Sequence, residues 1–204
     1  MENPVTVNKI TPVDHPVLDS IKNRWSPRMF SSKPITEAEV KKLLEAGRWA
    51  PSASNIQPWR VIWGIKGTKM YDRIFDCLDE FNQSWAGNSQ VLWINAFKKT
   101  MEKSDKENFH ALHDLGLFMG NVIHQANSMG IAVHQMAGVQ FKKAQKEFNF
   151  TDDYHVATAV AFGYFGGDPD GLPDDLKKKE LKQMRQRKEQ GEFAFNGNFQ
   201  NKNQ

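Results

Sequence analysis

The chain contains a single cysteine, Cys77, so no internal disulfide can form, and that usage fits a reducing compartment. Long apolar runs are also missing: the run from Val91 to Ala96 is broken by Asn95 and falls far short of the roughly 20 residues that span a bilayer. The opening Met-Glu-Asn-Pro has no basic stretch leading into an apolar one, so no secretory signal is expected. The two glycosylation sequons, at Asn82 and Asn149, are then chance matches. Charge of one sign is scarce as well. Twenty-seven basic against 24 acidic residues leave +3, too little to argue for a nucleic-acid partner. There is no P-loop, no G-x-G-x-x-G and no G-x-S-x-G elbow, which removes a separate dinucleotide-binding domain and the common serine hydrolases. What these absences leave is a cytoplasmic protein of 204 residues, 39% hydrophobic and 25% charged, with the length of about one domain.

The patterns that are present describe a layered fold. Asp14 can cap a short helix ending near Lys22, with Val17, Leu18 and Ile21 on one face. Thr36 and Glu39 form a capping box, and Val40, Leu43 and Leu44 carry a helical stripe toward Trp49. Residues 50–58 are rich in breakers and read as a loop. Strand patterns cover 59–65, 91–97, 131–135 and 154–165, the last rich in Val, Ala and Thr and expected at the centre of a sheet. Helical patterns cover 69–81, 105–129 with Gly130 as its stop, and the charged stretch 172–188. Helices alternating with four strands over long connections predict an α/β or α+β architecture. The domain is placed at 14–199, after a polar lead-in over 1–13 and before a polar tail over 200–204.

Several residue groups invite a chemical reading. His110 and His113 lie three apart on the long helix beside Asp114, and His124 follows His113 by about 16 Å along the axis at 1.5 Å per residue. Zinc needs three or four ligands converging on one point, so no metal site is expected there. Cys77 sits inside a helical pattern and is expected to pack rather than react. Gly116 and Gly120 form a small-x-x-x-small pair, and a glycine inside a helix costs ~1 kcal/mol relative to alanine. Close helix packing would offset that cost, and a subunit interface is one place for it. The stripe Ala111, Leu115, Phe118, Val122, Met129 reads as core. Arg24 and Arg28 flank a Trp-Ser-Pro turn, and Arg185 and Arg187 end the last helical pattern. Guanidinium forks suit bidentate phosphate binding, so arginines from both chain ends are candidates for holding one phosphate.

These segments together resemble the FMN-dependent nitroreductase family. Arg24-Trp-Ser-Pro-Arg28-Met-Phe30 is similar to its R-x-S-x-R-x-F opening, and Ala50-Pro-Ser-Ala-Ser-Asn55-Ile-Gln57-Pro-Trp59 to its A-P-S-x-x-N-x-Q-P-W segment. Gly130-Ile-Ala-Val-His-Gln-Met-Ala-Gly138 resembles the strand and turn beside the flavin, and the stretch from Arg185 to Gly197 its basic and aromatic tail. Ala137 stands where relatives often carry Gly or Glu, and Asn82 is the residue nearest to a flavin-contacting Asn before the second strand.

The resemblance implies an α+β fold, a mixed β-sheet flanked by helices, in an intertwined homodimer with FMN at the subunit interface. Arg24, Trp25, Ser26 and Arg28 would hold the phosphate and ribityl chain, and Arg185 and Arg187 would close on the phosphate. Pro51, Ser52, Ala53 and Asn55 would approach the flavin from the other protomer, and Gln135, Met136, Ala137 and Gly138 would face the isoalloxazine edge. The implied activity is hydride transfer from NADH or NADPH to flavin N5 and on to a small acceptor such as a nitroaromatic or quinone. A flavin-binding or sensing protein without turnover is the alternative.

Overall fold

Strands β1 (Trp59–Ile65), β2 (Val91–Lys98), β3 (Ile131–Met136) and β4 (Tyr154–Tyr164) form one sheet in the order β1-β2-β4-β3. The computed structural model describes residues 7–102 and 104–199; the tail over 200–204 and the first six residues of the lead-in lie outside them. β2 and β4 are central and covered on both sides, so their sequences run apolar without the polar alternation of a half-exposed strand. Successive side chains still point to opposite faces. Leu92, Ile94, Ala159 and Ala161 join one core cluster, while Val91, Trp93, Val160 and Phe162 join the other.

The helices divide between these two faces. Helices α2 (Glu37–Arg48) and α5 (Ala111–Ser128) cover one, bringing Val40, Leu43, Phe118, Met119 and Val122 to the sheet. Helices α3 (Lys69–Asp76), α4 (Glu80–Ala86), α6 (Phe141–Glu147) and α7 (Asp174–Leu181) supply the other with Tyr71, Ile74, Trp85, Ala144 and Leu176. A single turn, α1 (Asp19–Lys22), lies beside α5, where Ser20 Oγ and His124 Nδ1 are 3.2 Å apart. The capping box at the start of α2 is present, with Glu39 N–H donating to Thr36 Oγ1 at 3.3 Å and Thr36 N–H to Glu39 Oε2 at 2.8 Å. Among the described residues no helix is long and apolar enough to cross a membrane.

The four strands agree with the sequence patterns to within a residue or two, and the layered α+β class stands. Where a mixed sheet was expected, the strands pair antiparallel throughout, and the one parallel pairing among the described residues is the isolated bridge Ile10↔Met184. Other differences trace to tertiary contacts that override a local helical pattern. The pattern over 69–81 splits into α3 and α4 because Leu78 bridges to Val139 and Asp79 caps α4, accepting from Asn82 N–H at 2.8 Å. The long helix begins at Ala111 rather than near 105, since Glu107 bridges to Thr100 and Asn108 N–H donates to Lys99 O at 2.6 Å. Asp14 caps no helix; α1 begins after Leu18. The last helix stops at Leu181 instead of 188, and α6 has no counterpart among the sequence-based expectations.

One contact between layers gives a sign-sensitive prediction. Replacing a helical glycine by alanine ordinarily gains about 1 kcal/mol. A Cβ on Gly47 of α2, however, would overlap the Phe118 ring of α5, which is itself held 5.2 Å from the Trp59 ring. Gly47→Ala should therefore destabilise by about 1–3 kcal/mol, the range for overpacking a filled site. Urea unfolding should show a lower midpoint at unchanged slope; a raised midpoint would mean the ring yields freely.

Candidate functional site

The segment 24–29 leaves α1 and is drawn into the core by its apolar members. Pro27, Met29 and Phe30 are buried, and Phe30 bridges to Phe165 beyond the end of β4. This anchoring leaves the polar members on one rim. Arg24 Nη1 donates to Ser26 Oγ at 3.3 Å. Arg28 and Met29 turn their backbone N–H groups to Glu180 Oε1 on α7, at 2.8 and 3.2 Å. The Arg28 guanidinium lies 5.8 Å from the Trp85 ring centroid, and its buried Nε has no hydrogen-bond partner. The Trp25 ring is turned aside, with Lys9 Nζ 4.3 Å over it and Phe165 at 6.1 Å.

Beyond α7 the chain runs extended rather than helical, because Ile10 pairs with it: Ile10 N–H donates to Gln183 O at 3.0 Å and Arg185 N–H to Ile10 O at 3.1 Å. That pairing carries Arg185 and Arg187 back to the segment 24–28. Arg185 Nη1 donates to Thr11 Oγ1 at 2.7 Å and to Lys22 O at 3.0 Å. Thr11, Arg185 and Arg187 line a hollow of about 370 Å³. Burial first, and then like charge, pulls two guanidinium groups below their ordinary pKa: Arg24 feels Arg187, and Arg185 feels both Arg24 and Arg187. The described arginine–carboxylate salt bridges involve Arg48 and Arg73 and none of Arg24, Arg28, Arg185 or Arg187. A group of cations held together without acidic partners is suited to a doubly charged anion.

A turn after β3 adjoins this cluster. His134 Nδ1 is 2.8 Å from Pro27 O, an oxygen that only accepts, so that nitrogen carries the proton. The His134 ring lies 4.5 Å from Trp85, whose Nε1 donates to Asn82 Oδ1 at 3.2 Å. Asn82 Nδ2 in turn donates to Gly138 O at 3.0 Å, and Asp79 N–H to the same oxygen at 3.2 Å. Asn82 is thus committed to shaping the turn. A Cβ at Gly138 would overlap Asp79 and Asn82, so only glycine fits. Gln135 and Ala137 are exposed, Gly138 is half-buried, and the Met136 side chain is buried in the core.

The loop 50–57 is a strained and well-tied structure. Ser54, Asn55 and Gln57 have φ of 50°, 55° and 53°, left-handed values at three non-glycine residues. Ala53 N–H donates to the buried Asp114 carboxylate at 3.2 Å, Gln57 N–H to Ser52 Oγ at 3.0 Å, and Gln57 Nε2 to Asn55 Oδ1 at 3.0 Å. Pro51 and Asn55 are exposed, and Ser52 and Ala53 half-buried.

Within one chain the two sets of residues lie apart. The loop 50–57 leads into Trp59, opposite Phe97, at the Tyr154 end of β4, whereas segment 24–29 meets Tyr164 and Phe165 at the other end. Ten residue steps along β4 span roughly 33 Å. The structure therefore gathers Arg24, Ser26, Arg28, Arg185 and Arg187 with the Gln135–Gly138 turn, and leaves Pro51, Ser52, Ala53 and Asn55 at the far end.

Some residues of this site were not singled out from sequence. Glu180, His134 and Trp85 each fix a backbone or ring beside the arginine cluster, and Asp114 fixes the loop at the far end. Only Glu180 carried a signal: it follows Leu172 and Leu176 at four-residue spacing, an acid on an apolar stripe. The histidines on the long helix serve locally, His113 Nδ1 lying 3.5 Å from Asp114 and His124 beside Ser20. Among the described residues no group of three or more His, Cys, Asp or Glu is placed to hold a metal ion.

Comparison with known proteins identifies the company this site keeps. The model described as the nitroreductase family matches residues 21–92. A crystal structure of an oxidoreductase containing FMN superimposes with a TM-score of 0.86 at 30% identity, over 94% of this chain and 97% of that one. A relative from Streptomyces coelicolor, whose name pairs NADH dehydrogenase with NAD(P)H nitroreductase, is 26% identical over 159 residues, covering 69% of this chain and 78% of its own. The major NAD(P)H-flavin oxidoreductase of Aliivibrio fischeri is 29% identical over 97 residues, 45% of this chain and 44% of that one.

His134 supplies a pH test of the site's geometry. Burial, opposed by its hydrogen bonds and reinforced by Arg28 and Arg24, pushes its imidazole down to about 4 from an ordinary 6.5. The unfolded chain then binds the proton more readily, so the contribution of this residue to stability is complete above pH 6.5 and is lost as pH falls through about 4. Proton NMR of the flavin-free protein should show this imidazole neutral at pH 6. A midpoint near the ordinary value would contradict the burial described.

Proposed function

The chain belongs to the nitroreductase family, and from that premise we propose that it works as an FMN-dependent NAD(P)H oxidoreductase. The observation that carries this reading is the cluster of Arg24, Arg28, Arg185 and Arg187, without acidic partners and joined through His134 to the Gly138 turn. The residues fit the cofactor. Guanidinium groups without carboxylate partners among the described residues suit its phosphate, which brings between one and a half and two negative charges at pH 7, and the packing of Gly138 on Asp79 and Asn82 fixes the turn beside them.

Arg24, Ser26, Arg28, Arg185 and Arg187 hold the phosphate, and Trp25, its ring already engaged with Lys9 and Phe165, lends its backbone toward the ribityl chain. Gln135, Ala137 and Gly138 present backbone groups to the isoalloxazine edge, with Met136 anchoring the turn in the core. When bound, FMN supplies the redox chemistry, taking hydride from NADH or NADPH and reducing a small acceptor such as a nitroaromatic or quinone. The protein contributes position and electrostatics, and no side chain needs to act as acid or base in the hydride step.

The working unit in this reading is a cytoplasmic homodimer, with no nucleic-acid or membrane partner. Loop residues Pro51, Ser52, Ala53 and Asn55 reach a flavin only if a second copy brings them to the arginine end of the first. Helix α5 offers a surface for that pairing: Leu112 is exposed, and a Cβ at Gly116 or Gly120 would meet nothing within the chain. Phe193 and Phe199 on the C-terminal arm are also exposed and apolar. The flavin-binding unit is 14–199, with residues 9–11 laid along its C-terminal arm.

Three measurements test this. Charge-assisted hydrogen bonds contribute roughly 1.5–3 kcal/mol each, and 1.4 kcal/mol is tenfold in affinity. Arg28→Ala and Arg187→Ala should each weaken FMN about ten- to a hundredfold and leave the weaker binding of riboflavin nearly unchanged; unchanged FMN affinity places the phosphate elsewhere. NADH or NADPH should bleach the bound flavin without oxygen, and an acceptor should restore the colour. Ending the chain after Gly191 should weaken the dimer and release flavin together. Light scattering that finds a monomer with full flavin occupancy would refute the dimeric site.

A further inference from the structure

We propose that Glu180 is the positioning residue of the phosphate site: its carboxylate orders the arginine segment through backbone N–H groups and leaves the guanidinium forks free for the ligand. The inference rests on the proposed FMN reading.

Glu180 is 1% exposed, one turn after the buried Leu176 on the apolar face of α7. A leucine there would continue the stripe without the cost of burying a charge. The carboxylate spends its hydrogen bonds in a particular way. Oε1 accepts from both Arg28 N–H and Met29 N–H, and Oε2 has no partner. It forms no salt bridge with the Arg28 guanidinium. An acceptor is therefore placed under the cationic cluster without occupying any of the donors that would face a phosphate.

The same residue ties the second arm. Lys9 Nζ donates to the main-chain oxygens of Glu180 and Lys182, and the adjoining Ile10 and Thr11 hold Arg185. The segment carrying Arg24 and Arg28 and the arm carrying Arg185 and Arg187 thus meet at one residue, the first through its carboxylate and the second through its main-chain oxygen. Burial pushes the Glu180 carboxyl above its ordinary pKa, opposed by the two backbone N–H groups and by Arg28 and Lys9.

The test titrates FMN and riboflavin against the full-length parent, Glu180→Leu, Glu180→Asp and Glu180→Gln, with flavin fluorescence as the readout. Leucine removes the acceptor and aspartate withdraws it by one methylene; both should lose FMN affinity at least tenfold while riboflavin stays within threefold. Glutamine keeps an acceptor oxygen on the two N–H groups and should stay within threefold for both flavins. The inference is overturned if leucine and aspartate keep the parent's preference for FMN, if they lose both flavins equally, or if glutamine loses FMN as badly as they do. Should the leucine variant fail to fold, aspartate against glutamine decides on the same ratio. A parent that does not prefer FMN to riboflavin refutes the FMN reading itself, whereas a parent that does, with variants that match it, refutes only the role of Glu180.

Discussion

Mutual repulsion among Arg24, Arg185 and Arg187 is the constraint around which this end of the molecule is organised. Charges of one sign stay close only where covalent and hydrogen-bonded structure leaves them no alternative. Here the restraint comes from backbone: the parallel bridge between Ile10 and residues 183–185, the Phe30↔Phe165 bridge, and the two N–H groups bound by Glu180. Positive potential is thus built into the fold before any ligand arrives, which is how a preorganised anion site avoids ordering costs at binding.

The second organising feature is the length of β4. Its central place in the sheet means that the chain just after Phe165 and the loop 50–57 just before Trp59 sit at opposite ends. A long central strand with both faces covered is favourable for the core, but it forbids one chain from closing both halves of the site around one ligand. The proposed two-fold pairing would resolve that geometry, and the open glycines of α5 would give it a surface where backbones can approach.

Between these ends, rigidity is supplied by small polar networks. The path from Gly138 O through Asn82 to Trp85 and the His134 ring, ending at Pro27 O, links the turn after β3 to the arginine segment. Asp114 does the same for the strained loop at the far end, accepting from Ala53 N–H and thereby offsetting part of the cost of three left-handed residues. In both places a buried polar side chain fixes a backbone, and the backbone faces the proposed ligand.

Local chemistry determined a good part of this protein. The capping box at Thr36, the four apolar strand runs and the breakers over 50–58 are patterns of neighbouring residues, and each appears in the fold where the pattern lies. The segments bearing Arg24, Arg28, Arg185 and Arg187 were singled out by residue type and spacing, and Gly138 by the family resemblance; the structure brings these segments to one end of the sheet. Tertiary structure alone decided the rest. Residues 182–188 read as helix until Ile10, more than 170 positions away, pairs with them and pulls the arginines across. Residues 77–79 break a helical pattern because Leu78 finds a partner at Val139. Long-range hydrogen bonds leave no periodicity in the sequence that makes them. The backbone contacts of Glu180, and the distance between the loop 50–57 and the arginine cluster, therefore became visible only once the sheet had placed its ends.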